Sequence, residues 1–132
     1  MAVNNEVSTE NVKKAGEYFS QVLRVNWKKP EKEIKVDDST FGQMAKEAVY
    51  AASMFLHPIS RGLYAIRLQE KKISTDIIPD EKKCKHVVTI ASCYSTGKRD
   101  FPRADIQEMQ HVCDSLVKCI NATKKVYVRN IK

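Results

Sequence analysis

Between Phe101 and Lys125 the chain reads FPRADIQEMQHVCDSLVKCINATKK, with Ile106, Met109, Cys113, Leu116 and Ile120 at alternating steps of three and four. That spacing lines five apolar side chains along one side of an α-helix. Pro102 suits a first helical turn, where its missing N–H would have had no partner. Asp105 and Glu108 fall early and Lys118, Lys124 and Lys125 late, as the helix dipole favours. An amphipathic helix this long needs other apolar faces to cover it, so the rest of the chain is expected to be helical and to pack around it.

Three more stretches have the same character. Val12, Ala15, Phe19, Val22 and Leu23 form a stripe behind Ser8 or Thr9, either of which can cap a helix over about 9–26. Gly16 in that stripe costs about 1 kcal/mol relative to alanine, which points to a close contact there. Phe41, Met44, Ala45, Ala48, Val49, Ala52 and Phe55 share one broad face of a helix over about 39–57, opened by Asp38 or Ser39, and its alanines permit a near approach to a neighbour. Pro58 breaks or kinks that element, and Ile59, Leu63 and Ile66, with Tyr64 as a further candidate, continue with helical spacing in an extra segment to about residue 71, although Tyr64, Ile66 and Leu68 also alternate as a strand would.

Asp80 is a helix cap, Cys84, Val87, Val88, Ala91 and Tyr94 follow at helical period, and Gly97 stands where a left-handed terminal residue is expected. The β-branched run Val87-Val88-Thr89-Ile90 would also suit a strand, but the caps agree with the helical period over about 80–96. The connectors read as loops. In Trp27–Asp38, Ile34 and Val36 alternate with lysines, yet a lone strand has no evident partner. Residues 72–79 carry three isoleucines expected to tuck under a helix, and 98–102 returns the chain antiparallel into the long helix.

The expected fold is all-α: an antiparallel bundle of four principal helices (about 9–26, 39–57, 80–96, 102–124) with a kinked extra helix at about 59–71. A chain of 132 residues makes a single helical domain, 1–132, with 1–8 and 126–132 as flexible ends. No apolar signal core precedes residue 20 and no run approaches membrane-span length, so an intracellular site (cytoplasmic or nuclear), no membrane partner and reduced cysteines are expected. The Asn121-Ala122-Thr123 sequon would matter only in a secreted protein.

Cys84-Lys85-His86 and His111-Val112-Cys113 invite a zinc reading. Residues two apart on a helix point about 200° apart, however, so neither pair could grip one ion. Cys84 and Cys113 are expected in the core, as small apolar side chains, and Cys93 and Cys119 partly exposed. Ser95-Thr96-Gly97-Lys98 lacks the glycine and the hydroxyl of a phosphate loop, with Ser92 and Arg99 at those places. No nucleophile elbow, zinc-helix or paired-carboxylate motif is present, so no catalytic residue, metal or cofactor is expected, and the chain reads as a non-enzymatic binding protein.

Charge suggests what it binds. The net charge is +7 and nearly all of it, +6, falls within residues 81–132. An antiparallel hairpin of the last two helices, reflected near residue 99, would gather Lys82, Lys83, Lys85, Lys118, Lys124 and Lys125 at one end. Lys98, Arg99 and Arg103 would form a secondary basic cluster at the other end. A lysine-rich end engages phosphates without reading sequence, so nucleic acid is the first expected partner. The alternative is a protein partner or a homodimer, through Trp27 or through leftover apolar positions such as Met54, Val112 or Val117. A single tryptophan just after a helix more often closes a core.

Overall fold

The computed structural model describes residues 2–27, 33–37 and 39–131, with side chains described over 9–27, 33–37 and 39–122. It is all-α apart from one two-stranded ladder. Five helices follow one another: α1 (Ala2–Val25), α2 (Ser39–Leu56), α3 (Pro58–Glu70), α4 (Glu81–Ser95) and α5 (Arg103–Ile131), with a 3₁₀ turn at Thr75–Ile77. The long C-terminal helix is the hub, since α1, α2, α3 and α4 all pack on it. Its expected stripe is buried throughout, and Val112 and Cys119 widen that stripe into a face covered from two sides.

The paths differ from a simple bundle in three places. Helix α1 begins at Ala2, a turn and more before the expected cap. Thr9 is buried one turn before Val12 on the same face, so the inward stripe begins ahead of the first obvious apolar residue. Helix α5 runs on to Ile131, and residues 126–131 are helical in backbone instead of a loose tail. No glycine or proline follows Pro102 to stop it. The third difference is a strand. Ile34–Lys35 (β1) pairs antiparallel with Asp100–Phe101 (β2), Ile34 facing Phe101 and Lys35 facing Asp100. The Val36 N–H donates to the Arg99 carbonyl at 2.6 Å and extends the ladder. Its partner lies more than sixty residues away, where local periodicity carries no trace of it.

That ladder closes one end of the molecule over an aromatic knot. Phe41 is the centre, with ring centroids 5.8 Å from Phe19, 5.8 Å from Phe101, 5.0 Å from Tyr94 and 6.4 Å from Tyr18. The edge-on and tilted pairings are those the ring quadrupoles favour. Small residues let the helices close around it. Ala45, Ala48, Ala51 and Ala52 are buried on α2, and a side chain at Gly42 would meet the Tyr94 ring at 3.1 Å. Gly16 meets its expected close contact: an added Cβ would lie 2.5 Å from an oxygen of Asp114.

At the opposite end, His57 caps α3, its Nδ1 accepting from the Ser60 N–H at 3.4 Å, and Pro58 holds the first helical position. Of the two apolar stripes on α3, the one that turns inward is Tyr64 and Leu68. Tyr64 packs edge-on against Phe55, with centroids 5.9 Å apart. Arg61 Nη1 donates to the Pro79 carbonyl at 2.7 Å and the Phe55 carbonyl at 3.3 Å, tying α2, α3 and the approach to α4 together. Of the loop isoleucines, Ile77 and Ile78 pack on the core while Ile73 stays exposed.

Helices α3 and α4 end with one device. The Ile73 N–H reaches back to Leu68 and the Lys72 N–H to Gln69, while Lys98 reaches Cys93 and Gly97 reaches Tyr94. Each needs a residue with positive φ, supplied by Lys72 (61°) and Gly97 (111°). Lysine pays sterically where glycine does not. Lys72→Gly is therefore expected to raise unfolding free energy by about 1 kcal/mol, and Gly97→Ala to lower it by about as much or more, both read from urea titrations.

Candidate interaction surfaces

The basic first turns of α4 follow from its capping. The Asp80 carboxylate accepts from the Lys83 N–H at 2.9 Å and fixes the helical phase. That phase sends Cys84, Val87 and Ile90 inward and leaves Lys82, Lys83 and Lys85 exposed. The structure does not bring them to Lys118. Helix α4 lies chiefly on α2 and α5 chiefly on α1, so the last two helices are not the close hairpin expected. Where they meet, His86 sets the register. Its Nδ1 is 3.1 Å from each oxygen of Glu108 and its Nε2 is 3.4 Å from Asp105 Oδ1. That alignment puts Lys82 level with the segment around residue 110, roughly 10 Å of helical rise short of Lys118. Lys118 instead acts electrostatically on Asp114. Lys124 and Lys125 lie on α5 with side chains outside the described residues, and the expected cap Asp38 lies outside the described residues altogether.

The secondary cluster is largely committed within the fold. Arg99 lies with its guanidinium carbon 3.9 Å from the centre of the Tyr94 ring. Its Nη1 donates to the Tyr94 and Lys98 carbonyls at 2.8 and 2.9 Å. It thus adds a second donor to the Tyr94 carbonyl, which already accepts from the Gly97 N–H, and ties the segment after α4 to that helix end. Lys98 Nζ sits 5.2 Å from the centroid of Phe101. Arg103 Nη1 is buried with no hydrogen-bond partner among the described residues.

His86 on α4 stands between the carboxylates of Asp105 and Glu108 on α5 and links the two helices. Burial raises the Asp105 carboxyl, and His86 partly offsets this. Among the described residues no group of three His, Cys, Asp or Glu could hold a metal ion. The four cysteines are free thiols. Cys84 and Cys113 are core residues as expected; Cys119, expected to be partly exposed, is fully buried, because α3 lies over the side of α5 that carries it.

Two apolar features remain. An open groove of about 640 Å³ runs between α2 and α4 over Gly42, Ala45, Val49, Val88, Ala91 and Tyr94. The other is a ridge. On α3, Ile59 is 76 % exposed, Leu63 42 % and Ile66 53 %, with Gly62 among them. Sequence spacing marks this stripe as helical without saying which way it faces. Tyr64 and Leu68 take the core side, and the aliphatic stripe is turned to solvent. Trp27, 59 % exposed, does not close the core. Of the apolar positions considered for self-association, Val112 is wholly buried, and Met54 and Val117 pack on the core.

Comparison of the chain with protein-family models, with curated proteins and with solved structures finds no match. Among the described residues, no helix is long and apolar enough to cross a membrane.

Two solution properties follow. Burial pushes the Cys84 thiol up to about 11 and Cys119 up to about 12, and raises Cys113 as well. At pH 8 an alkylating reagent should label Cys93 of the folded protein and reach the other three only in denaturant, as counted by mass spectrometry. Burial also raises the Asp114 carboxyl, with Lys118 and His111 pulling against it. A carboxyl raised on folding binds its proton more tightly in the native state, so stability falls as pH rises from the ordinary carboxylate value through the raised one. Asp114→Asn should remove that slope. Relative to the native chain it should gain stability between about pH 4 and 7, by no more than roughly 0.5 kcal/mol for so exposed a group, in melts run across that range.

Proposed function

We propose that this chain is a protein-binding module whose docking face is the outward ridge of α3. The observation that carries this reading is the exposure of Ile59, Leu63 and Ile66 along one helix face. Full burial of such a side chain is worth about 1.5–3 kcal/mol, and a contiguous aliphatic stripe on a surface marks a contact site more often than a lone exposed residue does. The spacing i, i+4, i+7 is that by which one helix presents anchors to another protein. The ridge is rigid, because Tyr64, Leu68 and Arg61 fix α3 from its other side.

A second reading places nucleic acid on Lys82, Lys83 and Lys85, favoured by their full outward display on α4 and by the charge excess of residues 81–132. Without Lys118 beside them, three lysines next to Glu81 make a modest phosphate site, and affinity there would fall steeply with salt.

One experiment separates the two. The native chain, Leu63→Asp/Ile66→Asp and Lys82→Glu/Lys83→Glu are used as baits with and without nuclease. The expected result is a stoichiometric protein partner that survives nuclease, is retained by the lysine variant and is lost at least tenfold by the ridge variant. Capture abolished by nuclease and by the lysine variant, but not by the ridge variant, overturns the protein-binding reading.

A further inference from the structure

We infer that the occupant of the α3 ridge is a second copy of this chain, paired antiparallel about a twofold axis between Gly62 and Leu63. This rests on the docking face proposed above and goes on to name what docks. The ridge reads Ile59, Gly62, Leu63, Ile66, and its pattern of large and small residues suits a twofold. With the axis between 62 and 63, Ile59 stands level with the partner's Ile66, and Leu63 stands level with the partner's Gly62. A closed twofold contact needs this match of one patch with itself, large beside large at the ends and large beside flat at the centre.

Gly62 is the second observation. It interrupts a helix where glycine is costly, it is exposed, and a Cβ built on it meets nothing within 4 Å. Nothing among the described residues calls for a glycine there, unlike Gly16 and Gly42, which have neighbours at 2.5 and 3.1 Å. A missing side chain at the centre of an outward ridge lets a second helix approach closely.

Charge is compatible with this register. Arg67 flanks the ridge and is already paired with Glu70 at 3.3 Å. In the antiparallel register it lies level with the partner's Pro58, so the two Arg67 side chains stand more than about 10 Å apart along the axis, beyond the physiological screening length. Antiparallel helices also set the positive end of one dipole beside the negative end of the other. Six aliphatic side chains along about 10 Å of helix fall short of a standard interface of roughly 1,200 Å² or more. The pair is therefore a weak, concentration-dependent dimer.

Sedimentation velocity from about 10 µM to about 500 µM reads the equilibrium, with expected weakening of at least tenfold in Gly62→Gln and loss of the dimer in Leu63→Asp. Gly62→Gln should also raise the Tm of dilute protein by about 3 °C, which separates lost pairing from lost folding. Register is read by oxidative cross-linking in a Cys93→Ser background. Leu63→Cys should link to itself. Ile59→Cys should link only when mixed with Ile66→Cys, since two copies of position 59 stand about 10 Å apart along the axis. A monomer across the whole range, a dimer indifferent to both ridge variants, or Ile59→Cys linking to itself overturns the inference. If the chain is a monomer and Leu63→Asp still loses a nuclease-resistant partner, self-pairing fails while the docking face stands.

Discussion

The structure depends on taking α5 out of water along two adjoining sides. Ile106, Met109, Val112, Cys113, Leu116 and Cys119 are all fully buried, so this one helix offers every other helix a surface to close against. Each large aliphatic covered is worth about 1.5–3 kcal/mol, a gain largely offset by the backbone and side-chain entropy lost on ordering. Cys113 and Cys119 add little volume, which lets neighbouring helices come close without a cavity or an unpaired polar group. Because these six positions are used up in this way, they cannot also serve a partner. That explains why Val112, eligible on composition, is no contact residue.

The end of the molecule at Phe41 shows how charge is consumed by architecture. Arg99 looks like a phosphate ligand in a sequence that ends in basic residues. Its guanidinium instead stacks on Tyr94 and donates to the Tyr94 and Lys98 carbonyls, while Lys98 stands over Phe101. Planar, cationic and rich in donors, arginine can meet a ring face and two carbonyls at once. The β1–β2 ladder pins the same corner. Net charge thus overstates the cations free to act at this end, and the exposed Lys82, Lys83 and Lys85 sit on α4 away from Lys118.

Much of this was legible in the sequence because it is local. The 3.6-residue period, Asp80, Pro58 and Gly97 each write their effect within a turn of where they stand, and the helices they delimit are found close to the places they mark. Burial of Cys84 and Cys113 followed from the same period. What could not be read was non-local or degenerate. Ile34 gives no sign of Phe101, and reflecting α4 onto α5 assumed side-by-side packing that the pairing of α4 with α2 displaces. On α3 two apolar stripes compete, and single-sequence periodicity has no means of ranking Tyr64–Leu68 above Ile59–Leu63–Ile66. Shape decided it: Tyr64 meets Phe55, and Arg61 on the same side finds two carbonyls.

That decision gives α3 an anchored inward side and an aliphatic outward one. Its inward side is anchored by an aromatic contact, a buried leucine and a guanidinium bridge, and its C-terminus is fixed by Lys72 at positive φ. The fold is therefore satisfied by one face, and the outward residues are released from any duty in the core. Polar residues there would have been easier to solvate, and alanine in place of Gly62 would have suited the helix better. Aliphatic side chains around a glycine are what helix-on-helix packing asks for, because a flat spot among knobs sets how near a second helix can come. Stability of the single chain accounts for Tyr64, Leu68 and Arg61; it does not account for the exposed Ile59, Gly62, Leu63 and Ile66, and the proposed docking face rests on that difference.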